Sequence, residues 1–210
     1  MNQTRELRTI QSKVELRSDE ETNSNVIEGY ALKFDKRSNP LGFGNVFVET
    51  LDKRCLDNTD MSNVVATFNH DQSQVLGRSG VNLEMNVDDV GLRFKVTLPD
   101  TTLAHDVLEN IRSGIINQCS FAFDMPDDDT ADTWKRSDIE GVDYERRINN
   151  IAHLYDVSVV TTPAYSDTNV SVGARSLEKV KAIRELPLLK KRDELLRELK
   201  ISEIKEAIQD

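Results

Sequence analysis

An α+β fold in which strands predominate is predicted by three features of the 210-residue sequence. Two runs alternate apolar and polar residues with period two: Val81, Leu83, Met85 and Val87, then Leu92, Phe94, Val96 and Leu98. The Asp88-Asp89-Val90-Gly91 turn between them makes the pair a β-hairpin. Directly after it Leu103, Val107, Leu108 and Ile111 recur at helical spacing. Beyond Gly173 the composition shifts to leucine, lysine, glutamate and arginine. These features divide the chain into a β-rich domain over 1–173 and a charged helical tail over 174–210.

The elements follow in order. Met1 to Ser24 begins polar, with a short strand around Val14 and Leu16. Val26 to Phe34 reads as a strand, Asp35 to Gly44 as turns, and Val46 to Val48 as another strand. Leu51 to Leu56 suits a helical turn. A strand from Val64 to Phe68 ends at His70, and a second from Val75 to Ser79 follows a polar loop. The helix after the hairpin has Asp100 or Thr101 as its cap and Gly114 to close it.

That helix delivers the chain to Asn117-Gln118-Cys119-Ser120-Phe121-Ala122-Phe123, the strand on which the chemistry centres. Period two puts Cys119, Phe121 and Phe123 toward a core and Ser120 and Ala122 on the opposite face, which is expected to be open. The aspartate-rich stretch from Asp124 to Asp132 reads as an exposed, mobile loop. A strand pair is expected around Trp134 and Tyr144, then a strong strand from Ile151 to Thr161 that Pro163 terminates. In the tail Pro187 suits the first position of a helix. Leu188, Leu195 and Leu199 share a face there that Ile201, Ile204 and Ile208 continue. Such helices either pack on their own domain or dock on a partner.

The formal net charge is −10, from 37 acidic and 27 basic residues. A chain of this sign gains no overall attraction to nucleic acid or anionic lipid, so neither is an expected partner. Two cysteines, Cys55 and Cys119, form no disulfide framework, and a reducing cytoplasm is the simpler setting. The first residues lack the apolar stretch of a secretory signal, and no run approaches the roughly 18 apolar residues of a spanning helix. No metal or cofactor is expected, because His70, His105 and His153 are scattered without ligand spacing.

The candidate chemistry rests on His70, Ser120 and Asp156. A serine hydroxyl is a poor nucleophile until a base takes its proton. A neutral imidazole serves near pH 7, and a carboxylate on the other ring nitrogen fixes its tautomer. Parity along the later strand places Asp156 and Ser158 on one face and His153, Tyr155, Val157 and Val159 on the other, which argues against His153 as the third member. Residue types alone leave plain alternatives: His70 a surface loop residue, Ser120 a small strand residue, Asp156 a solvated carboxylate. Cys119 is a competing nucleophile, but its parity buries it, and buried thiols are usually inert. A hydrolase built on a Gly-x-Ser-x-Gly elbow is disfavoured, since Ser120 has no such surroundings.

From about Ile27 to about Val172 the chain resembles the prohead (capsid maturation) proteases of tailed bacteriophages. Gly29-Tyr30-Ala31 through Phe34 is similar to that family's opening strand. Phe68-Asn69-His70-Asp71 with Leu76-Gly77-Arg78 resembles its aromatic-Asn-His-Asp and Ile-Gly-Arg pattern, and Gly91-Leu92 the strand before its helix. Cys119-Ser120-Phe121-Ala122-Phe123 resembles its Leu-Ser-Ile-Gly-Phe nucleophile strand, with Ala122 in place of the glycine. Leu154-Tyr155-Asp156-Val157-Ser158-Val159-Val160-Thr161 with Pro163-Ala164 resembles its Leu-x-Glu-Val-Ser-Leu-Val-Thr-x-Pro-Ala segment, with Asp156 in place of the usual glutamate.

The resemblance implies a serine endopeptidase with a fold similar to the herpesvirus maturation protease, a small and mostly antiparallel β-barrel with surrounding helices. It implies His70 as base, Ser120 as nucleophile and Asp156 as the orienting acid, with no cofactor. Backbone N–H groups near Ser120 are candidates for the oxyanion hole, and Arg78 is a weak candidate for orienting them or a water. The implied partners are the major capsid protein, the scaffold segment and other copies of the chain. The implied place of action is the immature prohead in the host cytoplasm. The competing expectation is a non-enzymatic capsid scaffold component on the same fold.

Overall fold

The computed structural model describes residues 6–10, 15–16, 25–42, 46–161 and 174–209. Among them twelve strands form three sheets, with one helix between strands and one at the end. The first sheet has five strands in the order β1 (Glu6–Ile10), β9 (Gln118–Asp124), β12 (His153–Val160), β5 (Val65–Phe68) and β6 (Asp71–Arg78). The second runs β2 (Glu15–Leu16), β3 (Val26–Lys33), β8 (Gly91–Thr97), β7 (Leu83–Val87). The third runs β10 (Asp132–Arg136), β11 (Tyr144–Ile148), β4 (Phe47–Leu51). The α+β class holds, and a closed barrel is not formed by the described strands. The first two ladders end at β1 and β6 and at β2 and β7, and Ser79 with Leu83 is an isolated bridge between them.

The hairpin forms as its alternation predicts: β7 and β8 are antiparallel, and Leu92, Phe94 and Val96 are buried. Gly91 is required where β8 starts, because a Cβ there would lie 2.0 Å from the Leu32 carbonyl oxygen of β3. The helix α1 (Thr102–Arg112) is capped by Thr101, whose hydroxyl oxygen accepts the Ala104 N–H at 3.2 Å. It buries Ala104, Val107, Leu108 and Ile111, the predicted stripe. Ser113 closes it and Gly114 follows at φ +75°, the left-handed turn that frees the chain to enter β9. Cys119, Phe121 and Phe123 then join the main core with Ile27, Leu32 and Val157.

Several expectations are corrected. The Ser120 face of β9 is not open: Ser120 and Ala122 are fully buried, because β1 covers one edge of β9, β12 covers the other, and polar groups fill the space beside the small side chains. The polar stretch after His70 is strand, since β6 starts at Asp71. The two register shifts between β5 and β6 absorb its irregular pattern. Leu51 to Leu56 leaves β4 as hydrogen-bonded turns, not a helical turn. A bulge between Leu154 and Asp156 breaks the parity of β12, so Leu154 shares the core with Val157 while Asp156 turns to the other face.

The aspartate-rich stretch is exposed only in its middle. Asp124 and Asp132 are buried because each neutralises basic or donor groups from other elements. The tail is one helix, α2 (Ala174–Gln209), with Pro187 inside it. Among its described side chains, Val180 packs on the domain, buried with Leu41, Phe47, Trp134 and Tyr144, with Ile183 beside them. No helix among the described residues is long and apolar enough to cross a membrane.

Candidate active site

His70 stands on the two-residue turn between β5 and β6. Asn69 and His70 both have positive φ, +54° and +58°, as a primed hairpin turn requires. A left-handed conformation costs a residue with a Cβ about 1–2 kcal/mol, so surrounding groups must hold it. They do so from β12. The His70 N–H donates to Ser158 Oγ at 2.8 Å, and the Asn69 N–H donates to the Val159 carbonyl at 2.9 Å. Asn69 Oδ1 accepts the Thr161 N–H at 3.0 Å. Ser158 is buried, and its hydroxyl donates to the Thr67 carbonyl at 3.0 Å.

The parallel pairing of β12 with β5 places Asp156 beside Val65 and Ser158 beside Thr67, just short of the turn. The antiparallel pairing of β12 with β9 places Ser120 opposite Ser158. Three strands adjacent in the sheet thus bring His70, Ser120 and Asp156 together. His70 Nε2 lies 2.6 Å from Ser120 Oγ, and His70 Nδ1 lies 2.7 Å from Asp156 Oδ1. The shorter carboxylate therefore reaches the ring. Asp156 and Ser120 are fully buried and His70 is 17% exposed, so the imidazole is the member of the three in contact with solvent. Ser120 Oγ also donates to the Arg8 carbonyl of β1 at 2.8 Å.

Other sequence candidates fall elsewhere. His153 Nδ1 lies 2.8 Å from Asp124 Oδ1, and the Tyr155 hydroxyl donates to the other oxygen of that carboxylate at 2.7 Å. His105 pairs with Asp100 on the surface. The exposed Arg78 donates to Asn63. Burial pushes the Cys119 thiol up to about 12, and burial with the Asp52 charge does the same for Cys55, so neither supplies a thiolate at neutral pH. Gln118 precedes Ser120 by two residues, hence on the same strand face, and its side-chain oxygen is buried without a partner among the described residues.

Beside the site β1 carries two buried charges. Arg8 Nε donates to Glu49 Oε1 at 2.8 Å, and its Nη2 donates to Glu6 and to Glu49 Oε2. Arg146, fully buried, donates to Glu6, Glu49 and Asp132 at 2.7, 2.9 and 2.9 Å, with its guanidinium 5.3 Å from the Trp134 ring centroid. Lys179 of α2 reaches Asp132 at 2.7 Å. Burial alone would raise the Glu6 carboxyl, but the Arg146 and Arg8 guanidiniums outweigh it and hold the carboxyl below its ordinary range.

A family model described as the caudovirus prohead serine protease matches residues 12–183. The chain belongs to this family. No curated protein and no solved structure matches it. The protein is thus a serine protease of the phage prohead, and its family associates it with the capsid and capsid maturation. Sequence reasoning missed two parts of this protease's site neighbourhood. Ser158 was visible as part of the family-like segment and of the Asp156 face, but not as the acceptor that holds the His70 N–H. Strand β1 precedes the matched residues and gave no signal beyond two apolar positions.

Proposed function

We propose that His70, Ser120 and Asp156 are the catalytic triad of this prohead protease. One observation carries the assignment: a single imidazole ring bridges the serine hydroxyl and the buried carboxylate, at 2.6 and 2.7 Å. In this reading His70 Nε2 takes the Ser120 proton as Oγ attacks the peptide carbonyl, then returns it to the leaving amine. Asp156 accepts from Nδ1–H, which keeps Nε2 as the acceptor and stabilises the imidazolium that forms. The substrates are the scaffold or the N-terminal segment of the major capsid protein, and the protease itself, met inside the immature shell in the host cytoplasm. The tail α2 recruits the enzyme there, where several copies act together.

The test is co-expression with the capsid protein, read by intact-mass spectrometry. Ser120→Ala and His70→Ala each lower cleavage by about 10^4-fold or more, since members of a triad act as a unit. Both variants keep the wild-type circular dichroism. Continued cleavage by Ser120→Ala would overturn the triad and leave a capsid scaffold component as the better description.

A further inference from the structure

We propose that β1 occupies the edge of β9 that an extended substrate strand would otherwise pair with, and holds Ser120 unreactive until it is displaced. The inference rests on Ser120 being the nucleophile. It begins with a count of hydrogens. Ser120 has one hydroxyl hydrogen and, among the described residues, two acceptors within reach, His70 Nε2 at 2.6 Å and the Arg8 carbonyl at 2.8 Å. A neutral His70 that donates Nδ1–H to Asp156 has Nε2 as acceptor alone, so the hydrogen serves either the base or the strand. While it points at Arg8, the base does not hold it.

Position supports the same conclusion. In the sheet order β1-β9-β12-β5-β6, β1 is the outermost strand, and its departure makes β9 an edge with Ser120 on it. An open sheet edge captures extended polypeptide through its unpaired N–H and C=O groups. β1 satisfies those groups along Cys119 to Phe123, with Thr9 opposite Ser120. It also leaves Ser120 with no solvent exposure, which no protease can tolerate while cutting.

The charges make β1 removable. Glu6 and Arg8 are one acid and one base, so the strand withdraws with no net charge. What it leaves behind remains paired: Arg146 keeps Glu49 and Asp132, and Asp132 keeps Lys179. Among the described residues no lone buried charge is stranded, which is the usual obstacle to opening a buried ion network. The family match begins at residue 12, so the strand precedes the matched residues. The displacing partner is an extended polypeptide segment able to pair antiparallel with β9.

The experiment uses the full-length chain and a fluorophosphonate, which labels an activated serine. The rate of Ser120 labelling, located by mass spectrometry, is compared between wild type and Glu6→Ala/Arg8→Ala. The variant labels at least tenfold faster. Hydrogen exchange on the wild-type protein gives a reading that needs no substitution: the Ser120 adduct raises exchange at residues 6–10 while 153–160 stay protected. Equal labelling rates in the two proteins, or unchanged protection of residues 6–10 in the adduct, would overturn the inhibitory role while leaving the nucleophile in place. Absence of Ser120 labelling in both folded proteins would overturn the nucleophile and this inference with it.

Discussion

Ser158 stands 2.8 Å from the His70 amide and donates its own hydrogen to the Thr67 carbonyl, so it touches the backbone of the proposed base and not its ring. Its effect on the reaction is through the angle at which the ring meets Ser120. Ser158→Ala removes the acceptor for an N–H held in a left-handed turn, at a cost of about 1–3 kcal/mol. That cost falls on the turn, so kcat falls by about tenfold while KM stays near wild type. Ser158→Thr, which keeps the hydroxyl, restores most of kcat; a loss equal in kcat and KM would deny the positioning role. Asp156→Asn lowers the initial rate at every pH, by less than Ser120→Ala does, since the orienting acid contributes less than the nucleophile. At this scale the three proposed site residues were legible from the motifs that resemble the family's, since residue types alone left plain alternatives. The support of His70 was not legible, because it depends on two positive-φ residues that apolar patterning does not encode. The same holds for the bulge at Tyr155, which moves Leu154 into the core beside Val157 and leaves Asp156 facing His70.

Strand β1 shows why an element can be invisible in sequence and still cover a candidate site. Glu6 and Arg8 look like surface residues until Glu49 of β4 and Arg146 of β11, far away in the chain, arrive to pair with them. The other elements around the site were easier, since the hairpin and α1 carry their own periodicity and caps. The ion network predicts a pH response for β1. The Glu6 carboxyl is held below its ordinary value of 4.5 when the strand is docked. Its contribution is therefore complete above that value and is lost as pH falls through the docked one. Acidification below 4.5 loosens β1 before the domain unfolds. The protein has one tryptophan, Trp134, and the Arg146 guanidinium lies on its ring, so its emission reports the network directly. Glu6→Gln should remove the part of the emission change that precedes global unfolding; an identical titration would place its origin elsewhere.

At the scale of the molecule, one network joins the N-terminal strand to the C-terminal helix: Arg8 to Glu49, Glu49 to Arg146, Arg146 to Asp132, Asp132 to Lys179. The sequence showed where composition changes but not that the helix starts against the domain, because Val180 and Lys179 are ordinary residues in a charged tail. Past Ile183, Leu186, Leu188, Leu189, Leu195 and Leu196 are 43–68% exposed. The two halves of α2 should respond differently to truncation. Ending the chain after Ile183 removes a stretch whose described side chains are exposed, so the melting temperature changes by no more than about 2 °C. Ending it after Gly173 takes away Val180 and the Lys179 partner of buried Asp132, which together are worth about 2–4 kcal/mol and lower the melting temperature well beyond that. Peptidase activity on a soluble substrate survives the shorter deletion, because none of the three site residues lies in α2. Incorporation into proheads does not, if the exposed leucines are what engages the capsid or scaffold partner. The measurement is the protease content of purified proheads assembled with each variant, at matched expression. A chain ending after Ile183 that enters proheads at the wild-type level would assign recruitment to the β domain instead.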